Sequence, residues 1–534
     1  MIRRMVTPHG QGVRGLNLSR SSIFFGGAFG RIFRALPPAE FGVTDADTQT
    51  NLKRLGAAMV STKDDPKDGP DTEESGVPAL YTYLGQFVDH DITFDPSSSL
   101  QKQNDPDGLV DFRTPKFDLD NVYGRGPDDQ PYMYDFTNGA DRAKFLLGKA
   151  LTGAPAITPS AQDLARNTSN VASGQNARAI IGDPRNDENV LVSQLQTLFL
   201  RFHNRLIDKG MSFSEAQRSL RFHYQWMLIN DFLPTLVNQK TLHSVFPHLK
   251  SKSSIAENPP DLRFYHARDL AYMPLEFSVA AYRFGHSMVR PGYRLNDSDD
   301  TLLPIFGQDG PPSRPQSLRG FMAPADGWAI DWARFIDIEP RPAGTHIDDN
   351  GNAPNGKPPT PQELADNKKR LQLAYRIDTS IVFPLGKLPP DVADLIIPSL
   401  AERNLVRGWR LRLPNGQSVA KAMGENPVNV MIGKFEDKEN GVQPIESVSL
   451  AFKDNSPLWA YCLAETHAHS VPGVHGVNSK LLGPVGGRIV AETFAGLLVY
   501  DSQSFLSQEP RWKPAIGDGK TFGLKEFVNF AIGK

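Results

Sequence analysis

The segment Leu84-Gly85-Gln86-Phe87-Val88-Asp89-His90-Asp91 is the most informative stretch of this chain. Residues three and four apart lie on one face of a helix, so Gln86, Asp89 and His90 share a face while Asp91 points elsewhere. An imidazole flanked by an amide and a carboxylate is suited to proton transfer in a buried site. The alternative interpretation is a solvated polar face, which many helices have.

A second segment, LEFSVAAYRFGHSMV from Leu275 to Val289, has one histidine after a largely apolar run. Tyr282 and Arg283 lie about one helical turn before His286. A neutral imidazole in an apolar wall is suited to an axial bond to a haem iron, and Arg283 is placed to reach a propionate. The alternative is a structural histidine in the core.

A third segment, IGDPRNDE from Ile181 to Glu188, predicts a turn that leads into a helix over about Val190–Asp208. The helix dipole disfavours a cation at a helix start, so the position of Arg185 indicates an anionic or polar ligand nearby.

Together these segments resemble the animal-type haem peroxidase (peroxidase–cyclooxygenase) superfamily, in its bacterial branch. GQFVDHD is similar to the distal-helix motif, GDPRNDE to the catalytic-arginine motif and YRFGHS to the proximal-histidine motif. The resemblance continues, in family order, through TPKFDLDNVYG (114–124), LFLRFHNRL (198–206), RNLVRGWRLRLP (403–414) and LGPVGGRIVAETF (482–494). It implies a mainly α fold, a single large helical domain with very few short strands.

The resemblance also implies an activity, which is reduction of hydrogen peroxide through a ferryl haem and oxidation of a small donor. His90 is then the distal base that moves a proton between the two peroxide oxygens. Arg185 stabilises the charge on the departing oxygen, and Gln86 positions distal water or a halide. Halide, thiocyanate and phenolic donors all stay open.

On the proximal side, the resemblance makes His286 the ligand of the haem iron. Its second ring nitrogen then donates to Asn404, an arrangement that fixes the ring and tunes the ligand. Arg407 is the candidate for contact with a haem propionate. Without the resemblance, Asn404 would be interpreted as a turn or cap residue.

Asp89 and Glu188 occupy the positions that form ester bonds to haem methyl groups in mammalian members of the family. Two covalent links to haem b are therefore possible, and hydrogen bonding at the haem edge is the alternative. Asn189 stands where myeloperoxidase has a methionine that forms a sulfonium bond. That bond is excluded here, so chloride oxidation is not expected.

The loop Thr114-Pro115-Lys116-Phe117-Asp118-Leu119-Asp120 alternates positions that carry oxygen ligands. Calcium takes six to eight such oxygens. By the resemblance, a calcium site is completed by Asp91 with Thr114, the carbonyl of Lys116, Asp118 and Asp120. The alternative is a solvated acidic loop.

Composition excludes several other classes of protein. The net charge of −2 argues against a nucleic-acid partner, and no apolar run approaches the length that spans a bilayer. The single cysteine, Cys462, allows no internal disulfide, which fits a bacterial or intracellular setting. No apolar region follows Arg3 and Arg4, so a Sec-type signal is not expected, which leaves a cytoplasmic location or export by another route. The sequence does not indicate an oligomeric state.

We expect an N-terminal arm over residues 1–75 and a catalytic domain over 76–534. Within the domain we predict a distal helix over 76–97 and mostly loop over 98–150. Residues 292–361, rich in proline and glycine, form either an insertion that shapes the access channel or a plain surface loop. Further helices are predicted over 190–210 and 214–233, in the segment of His286 up to about Pro291, near Pro361 and Pro390, and over 486–500.

Two competing functions remain open. The first is a fatty-acid dioxygenase on the same fold, which requires a tyrosine three residues before the proximal histidine. Arg283 holds that position here, and Tyr282 is rotated by about 100° from it on an α-helix. The second is a non-enzymatic adhesion or calcium-binding protein, for which retention of all the predicted catalytic residues would be unnecessary.

Other histidines are interpreted as structural. His467, His469 and His475 lack an obvious carboxylate partner for a metal site and are expected at the surface. His203 belongs to one of the family-like motifs but is not expected to bind iron.

Overall fold

The computed structural model describes residues 27–61, 68–95, 100, 104, 109–154, 161–168, 177–299, 301–307, 317–348, 350–390, 392, 396–433, 442–517 and 521–534. Parts of the predicted N-terminal arm (1–26 and 62–67) and of the predicted insertion (300, 308–316 and 349) lie outside the described residues.

Most of the regular structure is helical, which confirms the predicted fold class. The helices are α1 Asp45–Met59, α2 Leu80–Ile92, α3 Asp120–Tyr123, α4 Val190–Asp208, α5 Phe213–Met227, α6 Leu233–Leu236, α7 Gln239–Val245, α8 Pro247–Ser251, α9 Pro361–Lys369, α10 Leu400–Arg410, α11 Gly416–Ala422, α12 Ile445–Val448, α13 Leu458–Ala464, α14 Pro484–Val499, α15 Phe505–Gln508 and α16 Leu524–Ile532. Two π-helical segments span Leu228–Phe232 and Glu276–Ala280. Turns of 3-10 helix span Pro131–Met133, Ala140–Arg142, Pro184–Asp187, Ala281–His286, Trp332–Arg334, Phe383–Gly386, Leu450–Phe452, Glu465–Ala468 and Val474–Gly476.

The strands are short and form small, separate sheets. They are β1 Gly27–Gly30, β2 Glu74–Pro78, β3 Val110–Asp111, β4 Tyr134–Asp135, β5 Lys144–Phe145, β6 Leu147–Ala150, β7 Gln162–Leu164, β8 Met273–Pro274, β9 Gly292–Tyr293, β10 Leu303–Pro304, β11 Leu373–Tyr375, β12 Met431–Ile432, β13 Gln443–Pro444, β14 Ser470–Pro472 and β15 Asn478–Lys480. β1 lies between β3 and β8, and each other strand has one partner.

The core is centred on α4, whose apolar side chains recur at helical spacing. Its N-terminus is capped by Asn189, which accepts a hydrogen bond from the backbone N–H of Val192 at 2.9 Å. Phe199 stacks on Phe87 of α2 with ring centroids 4.1 Å apart, and its centroid lies 4.5 Å from that of Phe527 in α16. These contacts fix α2 against the longest helix of the described part of the chain.

The distal helix is shorter than predicted, because β2 occupies its expected first turn. Leu373 of β11 pairs with Pro78, and Tyr375 pairs with Glu74. Pro78 has no backbone N–H for a helix and tolerates a strand end, so α2 begins only at Leu80.

A buried ion cluster ties this strand to distant parts of the chain. Glu74 accepts hydrogen bonds from the guanidinium groups of Arg290 and Arg370, and all three residues are buried. Burial raises the pKa of Glu74, but the two arginines outweigh that effect and hold it below its usual value. The segment entering α2 is thereby joined to the segment that leaves His286.

Three other predictions need correction. The helix expected over 214–233 is α5 followed by a π-helical turn, and no helix begins near Pro390 in the described residues, where α10 starts at Leu400. The segment after residue 292 is not a plain surface loop, since Ile330, Trp332 and Phe335 are buried.

Among the residues that the structure describes, no helix has the length and hydropathy needed to cross a membrane.

Candidate active site

A cavity of about 750 Å³ lies between α2, the segment around His286 and α10. Its wall contains all the residues that the sequence analysis assigned to catalysis or cofactor binding, namely Gln86, Asp89, His90, Arg185, Glu188, Arg283, His286, Asn404 and Arg407. The two imidazoles, 196 positions apart in the sequence, therefore share one cavity.

His90 is a neutral base held in one orientation. Its Nδ1 lies 2.7 Å from Oδ1 of Asn186, so Nδ1–H donates to the amide oxygen and Nε2 is left for the cavity. Burial and the nearby Arg185 guanidinium lower the pKa of His90 to about 4. At neutral pH the ring therefore accepts a proton rather than carrying one.

Arg185 is fixed by acceptors on three sides. Its Nη2 donates to Asp183 at 2.8 Å, to the carbonyl of Thr93 at 2.7 Å and to the carbonyl of His90 at 3.1 Å. The guanidinium also lies over the Phe94 ring, 4.5 Å from its centroid. The cation thus sits beside the distal histidine with little freedom to move.

The sequence analysis expected an anionic or polar ligand beside Arg185. In the structure, the anionic partner of Arg185 is the side chain of Asp183. It caps the 3-10 turn Pro184–Asp187 by accepting from the backbone N–H of Arg185 at 2.9 Å. Burial raises the pKa of Asp183, but Arg185 and Arg113 outweigh it and keep the pKa below the usual range. The position of Arg185 therefore needs no bound anion to explain it.

Gln86 and Glu188 form a polar pair in the cavity wall. Nε2 of Gln86 donates to Glu188, and Nδ2 of Asn189 donates to Oε1 of Gln86 at 3.1 Å. Burial raises the pKa of Glu188 to about 7. Asp89 lines the same wall and accepts from the Thr93 hydroxyl at 3.1 Å.

The second imidazole, His286, contacts Asn404 across the cavity wall. Nδ2 of Asn404 lies 2.7 Å from Nδ1 of His286, so the amide donates, which is the reverse of the predicted direction. Rotating the amide by 180° exchanges its oxygen and nitrogen without changing its shape, and His286 Nδ1–H then becomes the donor. Only that arrangement leaves Nε2 unprotonated for a metal. Burial and Arg283 lower the pKa of His286 to about 3, so the ring is neutral.

The backbone that carries His286 is not an α-helix. It is a π-helical segment followed by the 3-10 helix Ala281–His286. In a 3-10 helix residues three apart are eclipsed, so Arg283 is in line with His286 and Tyr282 is rotated by about 120°. Tyr282 nevertheless lines the cavity, stacked on Phe277 at 4.6 Å. The rotation of Tyr282 therefore does not remove its side chain from the cavity wall.

Asn404 and Arg407 lie one turn apart in α10, so Asn404 is a buried helical residue and not the turn or cap that its type suggests. The Arg407 guanidinium lies 3.5 Å from Asp95, and that of Arg283 donates to the carbonyl of Ser278 at 2.9 Å. Around them the cavity wall is aliphatic, with Leu100, Ile305, Leu385, Leu388 and Leu400 among the lining residues. A flat apolar ring system with anionic substituents matches this combination of walls and cations.

Three carboxylates from the predicted calcium site lie together. Asp91, Asp118 and Asp120 each offer an oxygen within 4.8 Å of the others. Among the described residues, this is the one place where three or more histidine, cysteine or carboxylate side chains lie close enough to share a metal ion. Both oxygens of Asp91 are buried without a hydrogen-bond partner. Burial, together with Asp118 and Asp120, raises the pKa of Asp91 well above its usual value. Such a cluster is costly without a cation.

The other predicted calcium ligands stand close to this cluster. The Thr114 hydroxyl donates to Asp118 at 2.8 Å, and the backbone N–H of Lys116 donates to the Thr114 carbonyl. Arg113 lies 3.4 Å from Asp120 and 2.7 Å from Asp183. A chain of charges therefore connects the carboxylate cluster to Arg185.

Sequence reasoning missed Asn186, Asp183 and Arg113. The first two are inside the GDPRNDE motif, so the motif itself was the available signal. Asn186 is held in turn by Gln196, whose Oε1 accepts from its Nδ2 at 2.9 Å.

The remaining histidine predictions concern His203 and the group after residue 466. His203 is buried, with Nδ1 3.0 Å from the Tyr123 hydroxyl and Nε2 3.3 Å from the Ala143 carbonyl, which agrees with a structural role. His467 and His475 are exposed, as predicted, and His469 is half-buried.

Comparison with known proteins finds a family match over part of the chain. Residues 101–308 match the family described as animal haem peroxidase. The chain is 28% identical over 139 residues to chorion peroxidase of Aedes aegypti and 28% identical over 125 residues to dual oxidase of Drosophila melanogaster. These matches cover 24% and 22% of this chain, but only 17% and 7% of the two relatives.

The fold itself is similar to solved structures. Peroxidase A from Dictyostelium discoideum gives a TM-score of 0.55 at 17% identity, with 92% of this chain and 90% of that chain covered. Fatty acid alpha-dioxygenase from Oryza sativa gives a TM-score of 0.48 at 14% identity, with 93% and 78% covered. The fold is therefore similar to that of Peroxidase A over most of both chains. The chain is similar to the animal haem peroxidase family over residues 101–308.

Proposed function

We propose that this protein is a haem peroxidase that reduces hydrogen peroxide and oxidises a small electron donor. The observation that carries the proposal is a neutral, hydrogen-bonded His90 beside an immobilised Arg185, in the same cavity as a neutral His286. His90 is a proton acceptor, Arg185 a fixed cation, and His286 a candidate metal ligand. Adhesion requires none of these three.

The residues present fit a haem group. The cavity combines aliphatic walls, two neutral imidazoles and the cations Arg283 and Arg407. His286 would bind the iron through Nε2, with Asn404 turned to accept from Nδ1–H, and Arg407 would hold a propionate. When bound, the haem supplies the redox-active iron at which peroxide reacts.

The chain's own distal residues manage the proton and the charge. His90 Nε2 takes the proton from one peroxide oxygen and returns it to the departing oxygen, while Asn186 keeps the ring in the required tautomer. Arg185 stabilises the negative charge on the departing oxygen without losing its own proton. Gln86, held by Glu188 and Asn189, positions water or a small anion.

Asp89 and Glu188 are the proposed points of covalent attachment to haem b. Both line the cavity. Conversion of a methyl C–H bond to an ester C–O bond removes two electrons, so attachment would follow exposure to peroxide. Mass spectrometry of the denatured protein before and after peroxide treatment counts the links that form.

We further propose that Asp91, Asp118 and Asp120 bind calcium with Thr114 and the Lys116 carbonyl. The buried, unpartnered oxygens of Asp91 support a resident cation. We also propose that the protein is a bacterial member of the animal haem peroxidase family and that its catalytic domain spans residues 76–534.

An optical spectrum of the haem-loaded protein tests the activity. We expect a Soret band that shifts on addition of peroxide and returns when iodide, bromide, thiocyanate or a phenol is added. His286→Ala should remove the residue that would bind the iron and so alter the resting spectrum. A protein that takes up no haem would instead favour the adhesive alternative, and rapid oxygen consumption with a fatty acid would favour the dioxygenase.

A further inference from the structure

A second groove, of about 420 Å³, lies on another side of helix α2. We call it the acidic groove, because its wall includes Asp231, Asp337 and Glu526 against the single cation Lys525. Thr82 and Tyr83, in the first turn of α2, line the haem cavity, whereas Tyr81 lines the acidic groove. The same turn of α2 therefore faces both spaces.

Tyr81 has a dedicated proton acceptor. Its hydroxyl donates to both carboxylate oxygens of Asp231, at 2.8 and 2.9 Å. The carboxylate is fixed by the backbone N–H of Leu524, which donates to Oδ2 at 2.7 Å. Gly523 leaves room for this approach, since a Cβ there would lie 2.7 Å from Oδ2.

The backbone around Asp231 points to a role beyond packing. Asp231 lies in the π-helical turn Leu228–Phe232 that interrupts the helix after α5. Such turns are rare, have poorer hydrogen-bond geometry than an α-helix and occur often at functional sites. Here the turn places the Asp231 carboxylate within hydrogen-bond distance of the Tyr81 hydroxyl, at the wall of the acidic groove.

Tyr83 is a second tyrosine of α2 and lies on the side of the helix that faces the haem cavity. Its ring lines the haem cavity, and its hydroxyl is buried. Two residues apart, Tyr81 and Tyr83 project to nearly opposite sides of a helix whose diameter with side chains is about 10–12 Å. The two phenols therefore lie on the two sides of α2 that face the haem cavity and the acidic groove.

We propose that Tyr81 is a second oxidation site, at which an aromatic donor too large for the haem cavity is oxidised in the acidic groove. This rests on the proposed peroxidase function, because the peroxide-oxidised haem is the oxidant. The O–H bond of Tyr81 breaks, its proton passes to the Asp231 carboxylate, and its electron passes by way of Tyr83 to the haem.

The donor then restores Tyr81. A phenol bound in the groove loses the hydrogen atom of its own O–H bond to the Tyr81 oxygen and departs as a phenoxyl radical. Asp231 releases its proton to solvent. Each cycle therefore removes one electron and one proton from the donor and supplies one electron to the haem.

The charges of the groove define the class of donor. Three carboxylates and one ammonium attract a positively charged aromatic molecule and repel an anionic one. Apolar contacts for the ring come from Val77, Ile336 and Val474. The geometry therefore favours a cationic phenol over an anionic phenol.

Polymer-linked donors test the site, because a polymer cannot enter the haem cavity. The probes are hydroxyphenyl groups attached to amino-dextran, which is cationic, or to carboxymethyl-dextran, which is anionic, with haem-loaded enzyme and peroxide. We expect the cationic conjugate to be oxidised at least tenfold faster than the anionic one. Tyr81→Phe should lower kcat/KM for the cationic conjugate at least tenfold, and Asp231→Asn should do the same.

Two further measurements separate this inference from the proposed function. The rate at which peroxide changes the haem spectrum should stay within twofold of wild type in Tyr81→Phe. Freeze-quenched electron paramagnetic resonance after peroxide should show a tyrosyl radical in the wild type that is diminished in Tyr81→Phe. A matched control is Tyr375→Phe, whose hydroxyl also donates to a carboxylate, Asp71 at 2.7 Å, but lines neither space.

The outcomes are distinct. Equal oxidation of the cationic conjugate by wild type and Tyr81→Phe overturns the second site and leaves the peroxidase intact. A loss in Tyr375→Phe as large as that in Tyr81→Phe also overturns it. If the wild type fails to react with peroxide at all, the proposed function and the second site fail together.

Discussion

The two sides of the haem cavity are built differently. His90 lies on the regular helix α2, and its ring partner Asn186 is held by Gln196. His286 lies on a π-helical and 3-10 segment, and its ring contacts Asn404. Proton transfer requires several groups at fixed distances from a small substrate, whereas a metal ligand requires one bond. The distal side accordingly has the denser hydrogen-bond network.

Removing the distal base should produce the largest effect. His90→Ala should slow the reaction with peroxide by about 10³- to 10⁴-fold, since His90 serves as both base and acid. Haem uptake should be unchanged, because the variant retains His286, the proposed iron ligand. Stopped-flow absorbance measures the rate.

His203→Gln is the matched control for that variant. Burial lowers the pKa of His203 to about 4, as for His90, but His203 lies outside the cavity. Its replacement should leave the peroxide rate within a few fold of wild type. A normal peroxide rate in His90→Ala would remove His90 from the mechanism.

Removing calcium should weaken the distal side alone. With free calcium about 1,000-fold above its Kd, chelation should lower the free energy of unfolding by about 4 kcal/mol. The peroxide rate should also fall, because Arg113 links Asp120 to Asp183 and so to Arg185. Thermal unfolding and stopped-flow measurements before and after chelation test this.

Adding calcium back should restore both properties, and Asp120→Asn should respond less to either treatment. A chelated protein with unchanged stability and no calcium by metal analysis would contradict the site.

Two asparagine variants compare the sides directly. Asn186→Ala should slow the peroxide reaction about 10- to 100-fold, the usual loss when an orienting partner is removed. Asn404→Ala should instead raise the reduction potential of the iron, because a weaker imidazole donor stabilises the oxidised metal less. Stopped-flow and potentiometric titrations distinguish them, and equal effects of both variants on both readouts would show that the sides act as one unit.

The smallest predicted effect concerns Glu188. Its pKa is about 7 in the folded protein and near the ordinary glutamate value when unfolded, so the neutral form is favoured by folding. This contribution is fully present at acidic pH and is lost as pH rises through 7.

Urea unfolding of haem-loaded protein never exposed to peroxide measures this contribution, since Glu188 then has no ester bond. Between pH 5.5 and 8.5 the wild type should lose about 2 kcal/mol more than Glu188→Gln, allowing for partial solvent screening. Parallel pH profiles for the two proteins would show that Glu188 stays ionised.

The sequence motifs predicted which residues line the cavity better than they predicted the backbone geometry that positions those residues. Gln86, Arg185 and Asn404 were assigned from local patterns, and the structure places all of them on one cavity. The 3-10 form of Ala281–His286 was not predictable, because the sequence has helical spacing and only tertiary packing selects between helix types.

Long-range polar partners were also beyond sequence reasoning. Asp183 looked like a turn residue, and its ion pair with Arg113 joins residues 70 positions apart. The β2 strand displaced the first predicted turn of the distal helix only because it pairs with β11, nearly 300 residues later. Local propensity carries no information about such partners.

The ion cluster of Glu74 with Arg290 and Arg370 also bears on how the cofactor enters the protein. Glu74, in the strand before α2, is hydrogen-bonded to Arg290, which follows the His286 segment, and to Arg370. Separating these two walls of the cavity would leave buried charges unpaired, at a cost of several kcal/mol. The spacing of the two walls is therefore set by the fold before any cofactor binds.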